Sequence, residues 1–305
     1  MPAIHASKEI IIEKPVSEVY AYVRDFETWP KWSPWLICEP ETKLSFQKDA
    51  YSWEGKFVGA GMMRVADAKE NRQIDYHLEF LKPWKSKAAV SMEFSELGDG
   101  TRVRWVMNSS LPWFMFFMKP MMECMIGMDY ERGLRMLKER LETGTLRSAL
   151  SYEARVTIPA CDYIGIERIC AMEDMERLMG EDFEKIGTIP EELIAQDEPV
   201  FTIYNAWKLS KGQASYIACC PVKTAPSQAP GGMMIGRRPA CEAFTVDHKG
   251  SYNHLGNAWA AGMMRGQAKL FKQDKKVPPF EQYLNDPHET AEADLLTRVC
   301  LPRKD

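Results

Sequence analysis

The residues best suited to chemistry in this chain are Glu281 and Tyr283, two apart in the run Pro279-Phe280-Glu281-Gln282-Tyr283-Leu284. The alternation of a strand puts Phe280, Gln282 and Leu284 on one face and Glu281 and Tyr283 on the other. A carboxylate among aromatic rings loses water, so it needs a compensating positive charge or hydrogen-bond donors. Two chemistries follow. A lipophilic cation supplies the charge, and ring faces add cation–π attraction of about 0.5 to 2 kcal/mol each. Alternatively, desolvation raises the proton affinity of Glu281 and suits it to serve as a general base.

An internal repeat supplies the other walls. Pro159-Ala160-Cys161-Asp162 recurs 80 residues later as Pro239-Ala240-Cys241-Glu242, Cys220 is answered by Cys300 at the same offset, and Pro199-Val200-Phe201 by Pro278-Pro279-Phe280 at 79. Repeat arrays need about three or more copies to bury a continuous core, so two copies predict a closed pseudo-twofold pair. The offset of 79 maps Glu281 onto Thr202 and Tyr283 onto Tyr204. An axis between the copies would gather all four in one groove, a common place for a small-molecule site. Tyr163, Trp207, Tyr252 and Trp259 are further candidates for its lining. Phe280 and Leu284 are expected to pack on the helix layer, with Glu281 and Tyr283 turned away from it. His248 and His254, around a strand-to-helix junction, read as capping or solvated groups.

The elements that must position these residues are legible from periodicity. Each copy reads as strand, helix, strand, strand: Met172, Met175, Met179, Phe183 and Ile186 step as one helical stripe, as do Leu255, Trp259, Met263, Gly266 and Leu270. Strands are expected over 201–207, 214–220, 280–284 and 295–301. The Pro/Gly/Ser-rich segment 225–232 links the copies. In the first half, Ile4 to Glu13 reads as a strand leading into a short helix. Ile74, Tyr76, Leu78 and Phe80 alternate with Asp75, His77 and Glu79, and two further alternating segments meet at the turn Gly98-Asp99-Gly100. Met122, Ile126, Tyr130, Leu134, Leu137 and Leu141 draw a stripe along a long helix that Gly144 caps. The fold class is therefore α+β in two domains, 1–148 and 151–305, the first a curved antiparallel sheet wrapped around its terminal helix.

The first half resembles the START-like superfamily of helix-grip domains, which includes polyketide cyclases and lipid carriers. The resemblance rests on the opening run Ile10 to Tyr20 and on Trp29-Pro30-Lys31-Trp32-Ser33-Pro34-Trp35. It implies an apolar ligand held between sheet and helix, with Trp29, Trp32, Trp35, Trp113, Phe116 and Met121 at the cavity or its mouth. It implies no catalytic motif. The second half resembles the gyrase-inhibitor-like small-molecule-binding domain, also the effector-binding module of AraC-type regulators. That resemblance is carried by His248-Lys249-Gly250-Ser251-Tyr252, Leu255, Trp259, the run 279–287 and 297–302. It implies an aromatic-lined pocket whose carboxylate, at Glu281, pairs with cationic amphiphiles; some stand-alone relatives are hydrolases of strained rings.

Composition narrows the alternatives. With 305 residues, 45% hydrophobic and 27% charged, the chain reads as globular, and a net charge of −4 argues against a nucleic-acid surface. The first ten residues lack a signal-peptide pattern, which suggests the cytoplasm. The eight cysteines, Cys219 and Cys220 among them, read as small buried hydrophobes. Leu111 to Met128 is apolar but broken by Lys119 and Glu123, so it reads as a flexible pocket lid and not as a membrane span. Asp75, His77 and Glu79 face solvent, and neither a metal nor a cofactor is expected. The reading is a binder or sequestering protein for hydrophobic or cationic small molecules. Its rivals are a cofactor-independent hydrolase or cyclase using Glu281 as base, and a ligand-responsive signalling module without a DNA-binding domain.

Overall fold

Period-two strands in the first half form one antiparallel sheet, each beside its neighbour in sequence except the first, which pairs with the last. In a computed structural model describing residues 3–304, the chain divides between Arg147 and Ser148 into two compact units. The first opens with β1 (Ala3–Ile12) and α1 (Val16–Arg24). It continues with β2 (Lys43–Gln47), β3 (Ala50–Glu54), β4 (Ala60–Lys69), β5 (Gln73–Lys82), β6 (Ser86–Leu97) and β7 (Gly100–Ser110), and closes with α2 (Lys119–Thr143). The strand order is β1-β7-β6-β5-β4-β3-β2. Gly98, at φ 59°, makes the tight β6–β7 turn. Gly144, at φ 76°, ends α2 in the left-handed cap that its type favours. Tyr130, Leu134, Leu137 and Leu141 of α2 are buried with the inward faces of β5, β6 and β7, including Ile74, Tyr76, Val90, Met92, Val103 and Trp105.

The aromatic residues expected around an N-terminal cavity separate into two groups. Trp29 and Trp32 are fully buried at the centre of the core, 4.6 Å apart, and both meet Trp105 edge-on. Trp105 in turn stacks on Tyr130 at 4.0 Å. Half-buried Trp35 donates Nε1–H to Asp129 Oδ2 at 3.0 Å. These three are packing residues, because the rings of the 29–35 segment fill the space between sheet and α2. Trp113 and Phe116 lie instead at the surface, 76% and 64% exposed, on a six-residue 3₁₀ helix before α2, and Met121 is half-buried. The 111–128 segment is thus a short 3₁₀ helix followed by α2. No helix among the described residues is long and apolar enough to cross a membrane. Asp75 accepts hydrogen bonds from Ser91 and Gln73, and His77 is exposed.

The second unit contains the repeat twice. Its first copy is β8 (Ser148–Ile158), β9 (Cys161–Ala171), α3 (Met175–Ile186), β10 (Phe201–Lys208) and β11 (Gln213–Val222). The second is β12 (Met234–Arg238), β13 (Cys241–Gly250), α4 (Gly256–Gln267), β14 (Phe280–Tyr283) and β15 (Leu296–Arg303). All eight strands form one sheet, β12-β9-β11-β10-β14-β15-β13-β8. Exchanging each strand for its counterpart reverses this order onto itself, as a twofold axis between β10 and β14 requires. Each copy has one strand more than the alternation indicated. That leading strand crosses over: β8 pairs with β13 and β12 with β9, so each copy completes the other's edge. Both helices contribute to hydrophobic clusters with inward-facing strand residues. α3 packs with Tyr204, Tyr216 and Ile164, and α4 with Phe244, Val246 and Val299. A third cluster, including Phe201, Ile203, Tyr163 and Phe280, occupies the opposite face of the sheet.

Candidate functional site

β10 and β14 are hydrogen-bonded antiparallel with Thr202 opposite Glu281, each the other's counterpart at the offset of 79. The pseudo-twofold axis therefore passes through this one pair. Two backbone bonds mirror each other across it: Tyr204 N–H to Pro279 O at 2.9 Å and Tyr283 N–H to Val200 O at 3.0 Å. Strand alternation projects Thr202, Tyr204, Glu281 and Tyr283 to one side of the sheet. That side is the helix side, which corrects the expectation that Glu281 and Tyr283 face away from the helices. Phe280 and Phe201 point to the other face, where both rings flank the buried Arg238 guanidinium at 4.8 and 4.4 Å. Each copy brings its own helix over the axis. Trp259 of α4 stands over Glu281, and its counterpart at an offset of 80, Met179 of α3, stands over Thr202 and Tyr283.

Glu281 is only 2% exposed. Its Oε1 accepts the indole N–H of Trp259, and Oε2 accepts the Tyr204 hydroxyl at 2.8 Å and the Tyr283 hydroxyl at 2.9 Å. The Tyr283 hydroxyl also meets Thr202 Oγ1 at 3.1 Å. Three donors fill three of the roughly four acceptor positions a carboxylate offers. No arginine or lysine joins them among the described residues. Burial pushes the Glu281 carboxyl above its ordinary range, and the three donated hydrogen bonds resist that shift without cancelling it. Burial followed by the adjacent carboxylate drives the Tyr204 and Tyr283 hydroxyls well up, so both remain protonated donors.

The same unit contains a contrasting carboxylate. Asp182 of α3 is fully buried too, but Arg168 grips it through Nε at 2.7 Å and through Nη2, and Tyr216 donates at 2.8 Å. Among the described residues, Asp182 is held by a cation and Glu281 by neutral donors.

Of the predicted lining residues, Trp207 stacks on Tyr204 at 5.1 Å and meets Trp259 edge-on at 6.1 Å. Tyr252, the exposed ring of the group, packs edge-on against Tyr283 at 5.8 Å; burial and the Glu281 charge push its hydroxyl up to about 12. Tyr163 does not join them. Its ring lies on the opposite face, edge-on to Phe201 at 5.6 Å and over Gly236, where an added Cβ would come within 2.3 Å of it. Residue type suggested Tyr163, but strand parity decides the face. Met179 and Phe183 belong to the site and were visible only as a helical stripe; Phe183 meets Tyr283 at 5.3 Å. Mapping Trp259 back by 80 residues points directly to Met179. The histidines are not solvated. Both are buried, His248 meets Ser148 Oγ at 3.0 Å, and burial with neighbouring His254 lowers His248 to about 4. Cys219 and Cys220 are free and buried, and burial raises both thiols.

Comparison with known proteins follows the division into units. Residues 3–142 match the family described as polyketide cyclase / dehydrase and lipid transport, and residues 155–304 match the GyrI-like small molecule binding domain. The solved structures to which the chain is similar include the EcmrR C-terminal domain, at 22% identity over 50% of this chain and 98% of that one, with a TM-score of 0.41. SAV2435 bound to tetraphenylphosphonium is similar at 12% identity over 50% and 94%, TM-score 0.42. The Aha1 dimer from Colwellia psychrerythraea is similar at 16% over 46% and 98%, TM-score 0.36. Against EcmrR in its DNA complex, at 18% identity, the chain spans 66% of that protein's length. No curated protein matches the sequence.

Proposed function

The chain joins a polyketide cyclase / dehydrase and lipid transport domain to a GyrI-like small molecule binding domain, and on that premise we propose that the second unit binds or sequesters hydrophobic cations at Glu281. One observation carries the reading: a buried carboxylate held by three neutral donors, with no cation beside it among the described residues. Hydrogen bonds orient such a charge but leave it uncompensated, and a cationic ligand restores neutrality where water cannot. Tyr204, Trp207, Tyr252, Trp259 and Tyr283 supply the aromatic faces, with Thr202 and Met179 completing the floor. Catalysis would have to proceed through the single acceptor position left on Oε1. The donors on Oε2 already stabilise the ionised form, which favours binding over proton abstraction.

Two ions of nearly identical shape test this. Titration calorimetry of the full chain with tetraphenylphosphonium and with tetraphenylborate should show the cation binding at least about tenfold more tightly. Equal affinities, or a preference for the borate, would overturn the proposal.

A further inference from the structure

The first unit carries an aromatic cluster that its core does not use. Three connections leave the same end of its sheet: residues 55–59 between β3 and β4, 83–85 between β5 and β6, and 111–118 after β7. The pairings Ala60 with Lys82 and Phe80 with Ser86 place the first two side by side. The hydrogen bond from Ser109 Oγ to Lys87 O brings the third against them. At this end Trp84 is 71% exposed, Trp113 76% and Phe117 68%, and Phe114 and Phe116 are exposed beside them. Trp113 and Phe114 touch edge to face at 6.1 Å, as do Phe116 and Phe117 at 6.0 Å. Five large aromatic rings thus stand in water on two of these three connections.

The charged residues within these connections and at their ends are lysines, while buried Glu39 accepts the Lys56, Phe57 and Val58 backbone N–H groups from beneath the first. Residues 55–59, 81–87 and 111–119 contain Lys56, Lys82, Lys85, Lys87 and Lys119 and no aspartate or glutamate. Lys82, Lys87 and Lys119 reach back to Glu54, Glu79 and Glu123 on the flanking elements at 2.7, 3.6 and 3.5 Å. The ammonium groups of Lys56 and Lys85 make no ion pair with a carboxylate among the described residues, that of Lys56 lying 5.3 Å from the Phe57 ring centre. Tryptophan and phenylalanine at turn tips, skirted by lysine, match the two layers of a membrane surface: rings enter the headgroup and upper acyl region, and ammonium groups stay with lipid phosphates.

We infer that this end of the first unit docks peripherally on an anionic phospholipid bilayer. The rings supply apolar insertion and the lysines supply the preference for negative charge. The inference is independent of the Glu281 site.

Co-sedimentation of the full chain with vesicles tests it. Binding to phosphatidylcholine containing about one third phosphatidylglycerol should exceed binding to phosphatidylcholine alone by at least about tenfold and weaken with added salt. The triple variant Trp113→Ser, Phe116→Ser, Phe117→Ser should lose about tenfold or more. Lys56→Gln and Lys85→Gln should each cost about fivefold on anionic vesicles alone. All these side chains are exposed, so thermal melts should match wild type and confirm that each variant folds. No sedimentation with anionic vesicles, or a triple variant that sediments like wild type, would overturn the inference. Self-association abolished by the triple variant, without vesicle binding, would assign the patch to a protein contact instead.

Discussion

Replacing Glu281 with glutamine removes one charge and changes little else in shape, so its effects follow from the hydrogen bonds around it. The Glu281→Gln amide oxygen would take the Trp259 N–H, and its NH₂ would donate to the Tyr204 and Tyr283 oxygens. Tyr283 would then turn its own proton to Thr202 Oγ1, already 3.1 Å away. A cation bound roughly 5 Å from the carboxylate, at an effective dielectric of about 20, gains about 3 kcal/mol. Glu281→Gln should therefore weaken tetraphenylphosphonium binding by about two orders of magnitude while leaving tetraphenylborate unaffected or improved. The effect on stability should run the other way. The fold raises the carboxyl's proton affinity, so an ionised Glu281 opposes folding near neutral pH and the unliganded variant should melt no lower than wild type. Calorimetric titration and a thermal melt measure both. Cation affinity within twofold of wild type would refute the argument, because the uncompensated charge would then contribute nothing to recognition.

Three further outcomes follow from the two buried carboxylates of the second unit. Because the folded carboxyl titrates above its unfolded value, Glu281 favours folding most below the ordinary carboxylate range, and that contribution is lost as pH rises through the raised value. Cation affinity should rise over the same interval, with protons released on binding, as calorimetry in buffers of different ionisation enthalpy would detect; a flat pH profile would contradict it. Asp182→Ala should destabilise the second unit by about 1 to 3 kcal/mol in chemical denaturation, because it removes the acceptor of the buried Tyr216 hydroxyl and the partner of Arg168, whose half-buried guanidinium water can still reach.

Much of the site was legible before any coordinates. The repeat offset matched Thr202 with Glu281 and Tyr204 with Tyr283; the register of β10 and β14 sets the first pair directly opposite each other, and both tyrosine hydroxyls reach the Glu281 carboxylate. Periodicity located both helices and the long α2. The side of the sheet was misjudged because Phe280 and Leu284 look like the more natural helix-facing residues. Arg238 accounts for Phe280 on the opposite face: its side chain, buried between two phenyl rings, makes that layer a core of its own. β8 and β12 escaped the reading of each copy because their partners lie in the other copy, and no local pattern announces an exchange. The buried state of Trp29 and Trp32 was equally hidden, since a tryptophan that lines a cavity and one that fills it carry the same letter. Trp113 and Phe116 have the residue types of a pocket mouth, and only their exposure separates them from it.

The position of Glu281 on the axis has a consequence for how such a site can arise. In a dimer of identical subunits, a residue on the symmetry element is present twice and faces itself. Two acids there would repel and share a proton; two threonines would hold no charge. Tandem joining of the halves in one polypeptide frees the facing positions to differ, so that one supplies the acid and the other a hydroxyl. The result is a single charge served by hydroxyls from both halves, an asymmetry that an assembly of identical chains has no means to encode.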